Sequence, residues 1–325
     1  MKFRNRVLGL LSLLLVITYL DRVCISVAGP RIQQALNIGP IGWGWVTAVF
    51  TISYAIFEIP SGALGDRIGP RKVLTRIVLW WSAFTSITGL VTGLGPLLLI
   101  RFFFGMGEAG AFPNAGATVS RWFPVKERGR AFGIIMMASQ FGGAIAPLLV
   151  VPIQVQYGWR ASFYLFGILG VVWSGLCYGW FRDSPAQIKG ITTAELAEVK
   201  GLGAHAHHPF PFRHALRSVN LWAMLGVACC YVYTYNFFQS WFHTYLVKAH
   251  GYSEKDLMLS SLPFIVGGLA NFTGGLASNA AVQRLGLEWG RRAIGLAGLG
   301  LSALCTVLLM LTHQPFLALA LLCLI

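Results

Sequence analysis

The sequence predicts an all-α membrane protein built as two helical bundles, the second incomplete, and three observations predict it. Only 11% of the residues are charged and 56% are hydrophobic, with a mean hydropathy of +0.66; a soluble domain carries about 25% charged residues. Apolar runs of the ~20 residues needed to cross a ~30 Å hydrocarbon core as helix recur along the chain. A polar stretch with several prolines parts those runs into two groups.

The first run, 7–28, follows Lys2, Arg4 and Arg6 and reaches the small residues Ser26 and Ala28. That pattern mimics a secretory signal, but cleavage would discard Asp21 and Arg22, so an uncleaved first helix is expected. Runs at 41–64, 73–92, 95–119, 130–152 and 161–181 complete an N-terminal six-helix bundle over 1–181. Interior glycines and prolines in these runs are tolerated better in membrane helices than in soluble ones.

Residues 182–218 contain Pro185, Pro209, Pro211 and the short amphipathic piece TAELAEVK, and read as a cytoplasmic linker. His205, His207 and His208 have no Cys or carboxylate cluster beside them, so they read as solvated loop and not as a metal site. Spans resume at 219–247, 257–281 and 291–312, and a further one starts after Pro315 with only Phe316 to Ile325 to follow. The region 219–325 is therefore expected to be an incomplete C-terminal bundle, three spans and part of a fourth. Gly62 and Asp66 at the end of the second span return as Gly275 and Asn279 at the end of the eighth, a weak internal repeat of the kind duplicated transporters show.

The net charge of +14 points to topology and not to nucleic acid. With the N-terminus inside, only Arg31, Arg160, Lys248 and Lys255 fall outside and Arg22 and Arg101 lie within spans; the other Lys and Arg sit at cytoplasmic ends and loops. This positive-inside bias sets the expected orientation in a plasma (inner) membrane. All six cysteines lie in spans, with no disulfide framework or metal spacing. No nucleophile–base set stands at either interface, so no enzyme, cofactor or metal is expected.

Two motifs carry the chemistry. SGALGDRIGPRK, Ser61 to Lys72, places Gly62, Asp66, Arg67, Gly69, Arg71 and Lys72 at the cytoplasmic end between the second and third spans. It resembles the loop 2–3 signature of the major facilitator superfamily. The resemblance implies a charge latch steadying one conformation, with Arg121 at the fourth helix end as the partner of Asp66; a solvated basic turn is the plainer alternative. The Asn279 of the second copy, where an Asp is usual, implies a weaker latch there.

The other motif pairs TYLDR, Thr18 to Arg22, with RFFFGMGEAG, Arg101 to Gly110. Arg101 lies ~9 Å below the outer boundary at 1.5 Å per residue, and Asp21 and Arg22 reach nearly the same depth from the other side. Arg101, Gly105 and Glu108 follow i, i+4, i+7 and share one helical face. Each charge at mid-span costs about 2.5–3.5 kcal/mol, so four of them in two helices call for a polar cavity and for one another. One reading is an ion-pair network that pins the first helix to the fourth. The other is a substrate and proton pathway, because Arg suits bidentate grip on a carboxylate. The four charges sum to zero; a monoanion pairing with one Arg leaves an acid without its partner, and a proton restores neutrality. Anion and proton would then travel together.

TYLDR, YAIFEIPSGALGDRIGPRK, RFFFGMGEAGAFP, GWRASF and FRDSPAQ together resemble the anion:cation symporter family of that superfamily, which includes sugar-acid carriers for galactonate, glucarate and hexuronates. The resemblance covers about residues 5–190 strongly and 219–281 moderately. It implies a fold of two six-helix bundles and proton-coupled symport of an organic anion, most simply a sugar acid, by alternating access in a monomer. The partners it implies are a small organic anion, protons and the lipid bilayer, with no nucleic acid and a proton gradient in place of any cofactor. Carried over, Arg22 and Arg101 hold the substrate carboxylate, Asp21 and Glu108 couple protons, and Tyr19 and Gln140 line the cavity. FFQSWFHTYL resembles the seventh helix of the family, which makes Tyr233, Gln239, Trp241 and Asn271 candidate hydroxyl contacts; aromatic packing is the alternative for Tyr233 and Trp241. His243 stands where a Pro is common, and Glu58 where Gln is, with no role assigned. Pro113, with Gly110 and Gly116, is placed to break the fourth helix. A transporter-like sensor, or a facilitator or anion exchanger of the same fold, are the rival functions.

Overall fold

The computed structural model describes residues 3–188, 191, 196, 216–253, 256–312 and 314–325. Within its helices the side chains at 125–126, 237–239, 250, 257, 271–272, 275–276, 278–279, 287 and 291 lie outside the description. The candidates Gln239 and Asn271, the repeat residues Gly275 and Asn279, and His205, His207 and His208 therefore fall outside the described residues.

Every element among the described residues is helical. The long helices are α1 (Phe3–Ala35), α2 (Pro40–Ile68), α3 (Pro70–Thr88), α4 (Leu94–Glu108), α5 (Ala111–Trp122), α6 (Val125–Tyr157) and α7 (Trp159–Trp180). After 182–218 come α8 (Val219–His250), a 3₁₀ turn Asp256–Ser261, α9 (Leu262–Leu311) and α10 (Pro315–Leu324). Six of the described stretches are long and apolar enough to cross a membrane, α4 and α5 counting as one, or seven if the two arms of α8 are one bent span. The third helix is outside that number because Arg71, Lys72 and Arg76 crowd its first two turns. α9 is two helices in one: Gly286 takes φ 79°, ψ 170°, and the Gly290 backbone lies against that of Val282. Eight residues of straight helix would put those two about 12 Å apart, so the chain turns back there, between the runs at 257–281 and 291–312.

The fourth predicted span is divided at Ala109–Gly110 into α4 and α5. Pro113 explains the place. It has no N–H for the Ala109 carbonyl, and its ring presses on that same carbonyl four residues back. Glu108 is thereby the last residue before the break.

In the N-terminal part α1 packs on α6, α3 on α7, and α2 on α4. Val7, Leu11, Leu14 and Leu15 of α1 join Val73, Leu74 and Trp81 of α3 and Trp173 of α7 in one buried cluster. A second cluster lies towards the far end of α1, around Val23, Val27, Ile32, Trp43 and Phe166. These two apolar layers leave the level of Asp21, Arg22 and Arg101 between them.

Among the described residues the hydrogen bonds between the N- and C-terminal parts lie towards one end. Tyr19, Ser26 and Gln33 recur every seven residues and so share a face of α1. The Tyr235 hydroxyl donates to that of Tyr19 at 3.2 Å, Ser26 Oγ donates to the Ser240 carbonyl at 3.3 Å, and Gln33 Nε2 donates to Thr244 Oγ1 at 3.3 Å. Lys248 Nζ adds a bond to Gln33 Oε1 at 3.1 Å. Residues 222–234 of α8, nearer the other end, are exposed throughout. The molecule is closed at the end away from its N-terminus and open at the end that holds it.

Candidate functional site

Arg22 and Glu108 form an ion pair between α1 and α4, with Arg22 Nε 2.6 Å from Glu108 Oε1. Glu108 is fully buried, and Arg22 is 13% exposed in its side chain. The guanidinium of Arg22 also lies over the rings of Tyr54 at 4.7 Å, Phe50 at 5.5 Å and Tyr19 at 5.8 Å. Its Nη2 is buried and finds no acceptor among the described residues.

Arg101 is treated differently. It is 5% exposed, and its guanidinium rests on Phe50 at 4.5 Å and on Phe104 at 4.8 Å. Its Nε is buried without a partner, and no carboxylate among the described residues bonds to it. Phe50 thus lies against both arginines. Aromatic faces attract cations by about 0.5–2 kcal/mol, less than a buried ion pair would. Gly105 makes the arrangement possible, since a Cβ there would stand 2.6 Å from the Phe50 carbonyl and 3.1 Å from its ring.

Asp21 bonds to neither member of this pair. It is 3% exposed, and neither of its oxygens has a hydrogen-bond partner among the described residues. Adjacent positions on a helix point about 100° apart, so Arg22 bonds to Glu108 while Asp21 leaves α1 in another direction.

Both arginines line a narrow cleft of about 20 Å³ with Ser26, Thr47, Phe50, Asn236 and Ser240. Trp43, Ile25 and Val46 supply its apolar wall. Cation, amide and hydroxyl groups on such a wall offer hydrogen bonds to an anion's polar groups. Neither Asp21 nor Glu108 lines it.

The structure gathers Tyr19, Asp21, Arg22, Arg101 and Glu108 at one level. Gln140 sits at the seam with α9, its Nε2 3.5 Å from where a Gly267 Cβ would be, and its Oε1 is unpartnered. Trp241 packs beside Gly44 of α2. Tyr233 is 75% exposed and apart from the cavity. Ser26, Thr47, Asn236 and Ser240 line the cavity without having been singled out in the sequence. Ser26 follows Arg22 by four residues and Asn236 follows Tyr233 by three, so a polar residue one turn along from a candidate was the available signal.

At the loop between α2 and α3, Asp66 is exposed and makes no ion pair among the described residues, with Arg121 included. Asp183, after α7, is the acid that engages this loop: its Oδ1 accepts from the Arg71 backbone N–H at 2.7 Å. Arg71 also donates from Nη2 to the Tyr178 carbonyl at 2.5 Å and lies over the Tyr178 ring.

Comparison with known proteins agrees with this architecture. The chain is 35% identical over 306 residues to a probable sulfoacetate transporter of Cupriavidus necator, covering 91% of this chain and 71% of the relative. It is 31% identical over 284 residues to a hexuronate transporter of Bacillus subtilis, covering 86% of this chain and 66% of that one. The chain thus spans about two thirds of the length of these relatives. Among solved structures, a bacterial homologue of the human lysosomal transporter Spinster, inward-facing and unoccupied, superposes with a TM-score of 0.75 at 23% identity, covering 99% of this chain and 72% of that one; this likeness shows the fold alone. The sequence profile of the Major Facilitator Superfamily matches residues 11–325, and the chain is a multi-pass membrane protein belonging to that superfamily.

Proposed function

We propose that the protein is a secondary active transporter that moves a small organic anion together with one or more protons by alternating access. The observation that carries this reading is the unequal treatment of the two arginines. Arg22 is neutralised by Glu108 at 2.6 Å, whereas Arg101 has aromatic faces and no carboxylate, at the wall of a polar cavity.

Arg101 is accordingly the first group an incoming carboxylate meets, and its N–H edge suits a bidentate grip. Ser26, Thr47, Asn236 and Ser240 offer hydroxyl and amide groups to the rest of the solute. When Glu108 takes a proton, Arg22 is released to share the anion; when it loses the proton, the Arg22–Glu108 pair re-forms and the anion is expelled. Asp21 is the second proton-coupling acid. The energy source is the proton gradient, and no cofactor is required.

Placing the N-terminus in the cytoplasm, as the basic residues suggest, makes the open end the cytoplasmic one and the protein a monomeric carrier of the plasma membrane, here facing inward. The substrate we favour is a sugar acid such as a hexuronate, hexonate or hexarate, supported by the hexuronate-transporting relative. A short sulfonated acid is the second reading, favoured by the 35% identity to a probable sulfoacetate transporter. The test is uptake into proteoliposomes with an imposed pH gradient. A sugar acid accumulating against its gradient, and collapse of that accumulation by a protonophore, is the expected result. Downhill flux unaffected by the gradient would make the protein a facilitator or exchanger, and ligand binding without flux would make it a sensor.

A further inference from the structure

We infer that His243 is a positioning residue that pins the closed outer end of the molecule over the site. It lies on α8, 1% exposed, and both ring nitrogens are engaged: Nδ1 is 2.9 Å from Ser26 Oγ on α1, and Nε2 is 2.8 Å from Ser260 Oγ in the 3₁₀ turn. Ser26 lines the cavity one turn beyond Arg22 and donates its hydrogen to the Ser240 carbonyl, another cavity-lining residue. In either neutral tautomer one ring nitrogen donates and the other accepts, so the ring can bond both hydroxyls at once. The 3₁₀ turn itself packs on α6. One imidazole therefore ties α1 to α8 and, through that turn, α8 to α6, directly above the cavity.

The chemistry suits a closure that must reopen. A leucine would fill the space but leave the Ser26 and Ser260 hydroxyls without this ring as a partner. Hydrogen bonds to hydroxyls can instead be exchanged for bonds to water when the helices part, so each holds the seam only weakly. The seam also lies at a soft point in α1, because Pro30 has no N–H for the Ser26 carbonyl. Tyr19–Tyr235 below and Gln33–Thr244 above continue the same seam, but His243 alone among these joins three segments.

This inference rests on the alternating-access reading, and its test reads a distance, not transport. Spin labels at Gln34 and Ala249, both exposed at the outer ends of α1 and α8, are placed in the full chain after replacement of its six cysteines. The parent should show one dominant short distance. His243→Leu and Ser26→Ala should each bring up a longer distance, raising the open-to-closed ratio about fivefold, or about 1 kcal/mol, the net worth of one hydrogen bond. The double variant should fall short of the sum of the two, because both remove the Ser26–His243 link while each also removes one bond of its own. An unchanged distribution in folded His243→Leu, or effects that add in the double variant, would overturn the pin. If His243→Leu is not recovered folded, Ser26→Ala and Ser260→Ala decide together, since the pin requires that loss of either hydroxyl open the seam. No substrate or pH gradient enters the measurement. Loss of the proton-coupling reading with the distance shift intact, or the reverse, tells the two ideas apart.

Discussion

Arg22 on α1 and Glu108 on α4 meet at 2.6 Å across a layer that holds no other ion pair among the described residues. Glu108 is the last helical residue before the break at Ala109–Gly110, so its position depends on where α4 stops. If its proton drives the cycle, Glu108→Gln keeps the shape and removes the titration. Uphill uptake in proteoliposomes should then vanish while counterflow exchange persists. Accumulation equal to that of the parent would remove Glu108 from the coupling.

Arg101 makes a different prediction, because it has no carboxylate of its own. Arg101→Ala should abolish detectable substrate binding, read by ligand-induced thermal stabilisation. Arg101→Lys keeps the charge but loses the planar fork, and a charge-assisted hydrogen bond is worth about 1.5–3 kcal/mol, so affinity should drop by about tenfold to a hundredfold. Unaltered affinity in Arg101→Lys would show that the cation acts only as a point charge. Both variants should be compared at one ionic strength.

The third prediction concerns Gly105. An added Cβ would stand 2.6 Å from the Phe50 carbonyl oxygen and 3.1 Å from its ring, and the backbone oxygen cannot retreat without moving α2. Gly105→Ala should cost about 1–3 kcal/mol as overpacking. It should also weaken substrate binding, since Phe50 supports the guanidiniums of both Arg22 and Arg101. A melting temperature and an affinity both equal to those of the parent would mean that α2 and α4 separate freely here.

The charged part of the site was legible because it is expensive. Asp21, Arg22, Arg101 and Glu108 interrupt apolar runs, and nothing but a cavity or mutual pairing offsets that cost. The hydroxyl part was not legible. Ser and Thr in a membrane helix can bond their own backbone, as Thr47 does with the Gly44 carbonyl at 2.9 Å, so they stand in apolar runs without any cavity nearby. Tyr233 shows a different limit. Its arm of α8, Val219–Asn236, is bent 46° from Ser240–Ala249. A face traced by period 3.6 through 233–241 is broken at that bend, and Asn236 and Ser240 line the cavity while Tyr233 stays exposed. The latch motif illustrates the third limit. Its residues were visible as a cluster, but Asp183 bonds to Arg71 from 112 positions away, a pairing that no local pattern carries.

That pairing yields the last prediction. Gly69 precedes α3, Pro70 opens it, and Arg71 presents one of the N–H groups that no intrahelical carbonyl can accept. Asp183 accepts from it at 2.7 Å, so a residue after α7 does for α3 what an N-cap side chain normally does from within the chain. Arg71 returns the favour electrostatically: its guanidinium bonds to the Tyr178 carbonyl near the C-terminus of α7, where a cation is favoured by the helix dipole. The two contacts together staple the start of α3 to the end of α7 at the N-terminal face of the bundle. Asp183→Ala removes the cap and should cost about 1–2 kcal/mol, while Asp183→Asn keeps an acceptor and should cost less. Gly69 holds φ at 91°, and a Cβ there would lie 2.5 Å from Asp183 Oδ2, so Gly69→Ala should be at least as damaging as Asp183→Ala. Thermal unfolding in detergent ranks the three variants; an Asp183→Asn as unstable as Asp183→Ala would mean that the charge of Asp183, and not its acceptor geometry, holds the staple.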